Sequence, residues 1–112
     1  MNHETTIRNA IRDTLLRIGV LVMTNAQVGR TFHGGLGTGS PDLVAVVKGR
    51  FVGLEVKVPG EKPSPNQVAW GEQLKQHGGS YFVVCSVAEA ILAVRTVSAE
   101  TQTAKRAIGD GG

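Results

Sequence analysis

A single cysteine, Cys85, stands in a chain of 112 residues, so no internal disulfide can form. It ends the apolar run Tyr81-Phe82-Val83-Val84-Cys85 and reads as a small buried residue. No local His or Asn signature accompanies it, so it is not read as a nucleophile. Aromatic residues make up only 4% of the chain against 41% apolar residues. The core is therefore expected to be Val, Leu, Ile and Ala. No run of about 18 apolar residues occurs, so no membrane-spanning helix is expected. Met1-Asn2-His3-Glu4 leads straight into a helical pattern, without the charged-then-apolar order of a signal peptide. These absences together fit a soluble cytoplasmic protein of one domain, since a second core would leave both halves too small.

The formal charge is +3 and the isoelectric point lies near 9.4. A mildly basic surface permits nucleic acid as a partner without establishing it.

Along the chain, Ile7, Ile11, Leu15 and Ile18 recur at helical spacing, with Arg8, Arg12 and Asp13 on the wetter side. Gly19 is placed to end this helix. Val20 to Thr24 reads as a short strand. Residues 29–41 contain five glycines and read as a long loop, a feature usually functional or disordered within compact domains. Asp42 to Val47 and Phe51 to Val58 then form a hairpin around Lys48-Gly49-Arg50. Ser64-Pro65-Asn66-Gln67 has the order of a capping box opening a helix that reaches about His77. Tyr81 to Cys85 is a further strand. Ser86-Val87-Ala88-Glu89 opens a last helix to about Thr96, before a polar tail over 97–112. The expectation is an α/β domain over 1–96 with a mixed sheet, in the order helix, three strands, helix, strand, helix.

Buried strands avoid charge unless it is paired or bound to metal. Here Asp42 starts one strand, and Glu55 and Lys57 interrupt the next. In that second strand Val52, Leu54, Val56 and Val58 share one face, and Gly53, Glu55 and Lys57 the other. If Lys48-Gly49 is a two-residue turn, Asp42 falls directly opposite Glu55, with Cβ atoms roughly 4.5–5.5 Å apart. A longer turn or a bulge would shift that register. Two such carboxylates repel unless a cation lies between them, and their oxygens suit magnesium. The ion could polarise a phosphodiester and generate hydroxide, while the Lys57 ammonium steadies charge on the phosphate or orients water. The bland alternative is a solvated sheet face with Glu55 and Lys57 in a salt bridge.

Gly39-Ser40-Pro41-Asp42 followed by Glu55-Val56-Lys57 resembles the PD-(D/E)XK nuclease signature. More narrowly, residues 3–96 resemble the VRR-NUC family, a virus-type replication and repair nuclease domain, in its stand-alone, phage-type form. The resemblance implies a restriction-endonuclease-like core with a central mixed sheet flanked by helices, in the order αβββαβα. It implies that Asp42, Glu55 and the Val56 carbonyl bind Mg2+ or Mn2+, and that Lys57 is the catalytic lysine. Gln67 matches a helix glutamine near the site, and Glu4 a first-helix acid that holds water at the metal. The phage members resemble Holliday-junction resolvases, which implies branched DNA as substrate, a homodimer, a role in DNA repair and, for a phage protein, the host cytoplasm.

Other readings stand beside these. Gln67 could serve only the capping box, and Glu4 only the helix N-terminus. Arg30, His33, Ser40 and Lys62 are candidate DNA contacts, the alternative being a merely flexible loop. His3, His33 and His77 lack metal-ligand spacing. Trp70 and Leu74 share a helical face and read as core or dimer contacts rather than a base-stacking platform. Two further functions use the same residues: a nucleic-acid-binding module indifferent to magnesium, and a hydrolase of small phosphate esters.

Overall fold

The computed structural model describes residues 3–25 and 37–109, the stretch 104–109 as backbone only. Its elements are α1 (His3–Arg17), β1 (Leu21–Thr24), β2 (Leu43–Val47), β3 (Arg50–Val56), α2 (Pro65–Gln76), β4 (Ser80–Val84) and α3 (Val87–Gly109). The strands form one mixed sheet in the order β1-β2-β3-β4, antiparallel except for the β3–β4 pair. Among the described residues no helix is long and apolar enough to cross a membrane.

The β2–β3 hairpin turns on Lys48 and Gly49, with φ of 52° and 84°. Positive φ at both central residues is what a type I′ turn requires. Val47 therefore pairs with Arg50, and the ladder runs back to Leu43 opposite Leu54. That register turns Leu43, Ala45, Val47, Val52, Leu54 and Val56 to one face, where they pack with Ile11 and Leu15 of α1 and Ala90, Ala93, Val94 and Val97 of α3. Aromatics are absent from this buried cluster, as composition required.

α1 ends sooner than its apolar spacing suggests. Gly19 (φ 91°) donates to Leu16 O, and Val20 folds back to Leu15 O at 2.9 Å, a Schellman closure. Ile18 is left in the cap and is 54% exposed, so it does not continue the buried stripe. Arg8, expected on the wetter side, is half-buried, and its Nε is hidden without a hydrogen-bond partner. β3 stops at Val56 rather than Val58. Cys85 lies just past β4 and is half-buried rather than buried.

The largest departure is α3, which continues to Gly109 instead of stopping near Thr96. Ala90, Ala93, Val94 and Val97 are all buried and follow the i, i+3, i+4, i+7 rule, so the apolar stripe runs through the expected end. Beyond Val97 none of the described side chains is buried, which is why the sequence turns polar there. Arg50 reaches this second half through a 3.2 Å ion pair with Glu100. Residues 97–109 are thus helix, and the expected tail is not a separate segment.

α2 lies on the opposite face of the sheet, against β4. Both expected caps form. Ser64 Oγ accepts from the Gln67 N–H, and Gln67 Oε1 accepts from the Ser64 N–H. Ser86 Oγ accepts from the Glu89 N–H, but the Glu89 carboxylate takes the Cys85 N–H rather than that of Ser86. Close approach of α2 depends on Gly71: a Cβ there would meet the Tyr81 ring at 2.7 Å.

Candidate active site

Asp42 and Glu55 meet on the α2 side of the sheet, where the β2–β3 ladder has just ended. The Lys57 N–H points to β4 and donates to Val84 O at 3.0 Å. By alternation the Val56 N–H points back toward β2. No strand partner remains there, because the ladder stops at Leu43 and the Pro41 carbonyl accepts from Asn25 Nδ2 instead. The Asp42 carboxylate fills that position: its Oδ2 accepts the Val56 N–H at 2.9 Å. Asp42 is therefore held by the main chain of the residue following Glu55.

A second fastening comes from Asn25, which the sequence reading did not single out. Its N–H donates to Asp42 O at 2.8 Å, and its Nδ2 donates to Ser40 Oγ and Pro41 O, both at 2.9 Å. The end of β1 thus clamps the Ser40-Pro41-Asp42 segment. No local signal reveals this, since an asparagine at a strand end has an ordinary turn reading. Ser40 Oγ also donates to Gly37 O at 2.6 Å, so the hydroxyl proposed for DNA contact is engaged within its own loop. Lys62 is exposed on the loop before α2. Arg30 and His33 lie outside the described residues.

Glu55 is 1% exposed, the one buried charged side chain among the described residues. Its Oε1 accepts from Gln67 Nε2 at 2.7 Å and lies 4.0 Å from Lys57 Nζ. Its Oε2 is buried with no donor at all. Burial first, then the negative charge of Asp42, pushes its pKa up from 4.5 to about 8; Lys57 opposes the shift. The more distant charge of Glu4 adds to it. Gln67 joins both of its readings: its amide oxygen completes the capping box while its amide nitrogen holds Glu55.

Glu4 sits in the first turn of α1, half-buried, and acts on Glu55 through charge. It does not complete a cluster, since no group of three His, Cys, Asp or Glu side chains able to hold a metal occurs among the described residues. Tyr81 is a further residue the sequence reading missed. It pairs with Gly53 on this face, and its hydroxyl is hidden and unpartnered. Burial, then the charges of Glu55 and Asp42, pushes its pKa up to about 12. A tyrosine in an apolar run reads as core, so nothing in the sequence marks it.

The donor set fits a hard divalent cation. A buried carboxylate oxygen without a donor, facing a second carboxylate, is a costly arrangement unless a proton or a cation joins it. Two carboxylates also suit magnesium, which keeps several waters and takes few protein ligands. The bland alternative, a solvated sheet face, is excluded by the burial of Glu55.

A mixed sheet between helices, with Asp, Glu and Lys gathered where a hairpin ladder ends, defines the class of restriction-endonuclease-like, nuclease-type domains. The VRR-NUC domain model matches residues 8–89, and the chain belongs to that family. A solved structure of a VRR-NUC domain superposes with a TM-score of 0.66 at 25% identity, covering 85% of this chain and 97% of that one. No curated protein matches.

Proposed function

We propose that this chain is a Mg2+- or Mn2+-dependent endonuclease that hydrolyses DNA phosphodiester bonds. The observation that carries the reading is the donorless Oε2 of Glu55, buried beside Asp42 with Lys57 at its edge. Asp42, Glu55 and, by the family pattern, the Val56 carbonyl would hold the ion. When bound, it supplies positive charge that polarises the phosphodiester and acidifies water. Asp42 is aimed by Val56 and Asn25, and Glu55 by Gln67. Lys57 steadies negative charge growing on the phosphate oxygens or orients the attacking water. Glu4 adds a carboxylate that can hold water at the rim. One P–O ester bond is exchanged for the bond to the incoming water oxygen, leaving a phosphate end and a hydroxyl end.

The test is cleavage of labelled four-way-junction, flap, duplex and single-stranded DNA in magnesium, manganese or EDTA, wild type against Asp42→Ala. Metal-dependent cutting that disappears in the variant is expected. A folded wild-type protein that binds these DNAs equally with and without metal, and cuts none of them, would instead be a binding module. Cutting of small phosphate esters but no polymer would point to the third reading.

Branched DNA cut by a homodimer is the finer part of the proposal. α2 packs on β4, and on the same sheet face the β1–β2 half presents Leu21, Met23 and Val46, which are 62%, 50% and 37% exposed. This apolar strip runs from the edge strand β1 onto Val46 of β2, on the side that carries Asp42 and Glu55. A second copy covering it would bring two active sites together, as opposed cuts across a junction require. Leu21→Asp is expected to turn a sedimenting dimer into a monomer and to uncouple the two cuts. Wild type that stays monomeric at micromolar concentration, with and without DNA, would overturn this.

A further inference from the structure

Beside the carboxylates, α2 forms one wall of a second feature. A cleft of about 320 Å³ is lined by Thr38, Asn66, Ala69, Trp70 and Gln73. The four helical positions lie at i, i+3, i+4 and i+7, one continuous strip of α2. Gln67, the residue that holds Glu55, follows Asn66 directly in α2. The opposite wall is set by Gly39, whose φ is +86° and whose backbone lies so close to α2 that a Cβ would meet Asn66 O at 2.5 Å. Thr38 is therefore brought against the helix by a backbone approach that only glycine allows.

The lining has two chemical parts. Trp70 is half-buried and backed by Phe51, with ring centroids 6.4 Å apart, yet it still borders the open cleft. Asn66 and Gln73 are exposed, and neither side-chain amide has a hydrogen-bond partner among the described residues. An aromatic surface flanked by free amides matches a nucleobase, which offers a π-face for stacking and donor and acceptor edges for amide pairing. Among the described residues the lining contains no charged side chain.

We infer that this cleft takes one unpaired nucleobase of the strand bound at Glu55. The inference rests on the nuclease reading and adds to it the means of selecting unpaired over fully paired DNA. A base inside a duplex cannot enter, whereas one at a branch point or a single-stranded end can be splayed out at little cost.

The experiment compares a short single-stranded oligodeoxynucleotide with an abasic deoxyribose-phosphate chain of equal length, both in EDTA so that no cleavage intervenes. The two carry the same phosphates and share the sequence-independent part of the affinity. The base-bearing strand is expected to bind about tenfold more tightly. Gln73→Ala and Asn66→Ala, at exposed positions where folding is not at risk, should each narrow that ratio. Trp70 is the chain's one tryptophan, so its emission reports this position alone. It should be quenched by the base-bearing strand and not by the abasic one. Equal affinities, or unmoved emission while both strands bind, would overturn the cleft and leave the nuclease reading intact. Failure of both strands to bind would overturn the cleft, and the nuclease reading stands or falls separately on metal-dependent cleavage, which alone tests the catalytic site.

Discussion

Lys57→Ala is expected to leave a folded protein that still takes up metal and DNA but cuts about 10²–10³-fold more slowly, the usual cost of removing one preorganised electrostatic partner of the transition state. The Lys57 side chain is 13% exposed and its Nζ stands 4.0 Å from Glu55 Oε1, too far for a strong hydrogen bond and near enough to act by charge. Its ammonium is therefore free to turn to an incoming phosphate. Removing it deletes a cation next to two carboxylates, which leaves the pull on a divalent ion undiminished or greater. The loss should accordingly appear in single-turnover rate at saturating metal, not in metal affinity. Lys57→Arg should recover only part of the rate, because a planar fork does not reproduce a compact ammonium. Circular dichroism and thermal melting establish folding, and undiminished cleavage by the folded variant would remove the proposed mechanism.

The residues that carry this argument were legible before the structure because their signals are local. Lys48-Gly49 sets a two-residue turn, the turn sets the register, and the register brings Asp42 to Glu55. Ser64-Pro65-Asn66-Gln67 announced its own helix. What stayed hidden depends on partners distant in sequence. Asn25 clamps Ser40 and Pro41, 15 and 16 residues further along the chain, and nothing next to it in sequence says so. Tyr81 looks like any strand aromatic until the fold places it beside Gly71 and within the field of two carboxylates. The polarity after Val97 looks like the end of structure, yet Val94 and Val97 continue the buried stripe and α3 runs on. Gln67 shows that competing readings need not exclude each other: one amide has two ends, and each does a different job.

Glu55→Gln should abolish cleavage and, at the same time, make the metal-free protein more stable at pH 8. Folding raises the pKa of Glu55 from 4.5 to about 8, chiefly by burial and the charge of Asp42, so the folded state holds this proton more tightly than the unfolded chain. The stability this contributes is complete below pH 4.5 and is lost as pH rises through about 8. Metal-free wild type should therefore lose stability between pH 5 and 8, the window in which most domains are steadiest. At about 1.4 kcal/mol per pH unit of such a difference, with some relaxation of the site, a loss of about 3 kcal/mol is expected. For a domain of this length that is about 10 °C or more in melting temperature. Glutamine has the same shape, stays neutral, and can donate toward Asp42, so the variant should show a flat profile over the same range. Magnesium or manganese should reverse the order: it binds the ionised pair, raising the wild-type melting temperature most at high pH and leaving the variant little changed. Melting curves from pH 5 to 8, with EDTA and with excess metal, decide the matter. A metal-free wild type whose stability is level or rising across that range would mean that Glu55 is ionised without cost, and the case for a cation between it and Asp42 would fall with it.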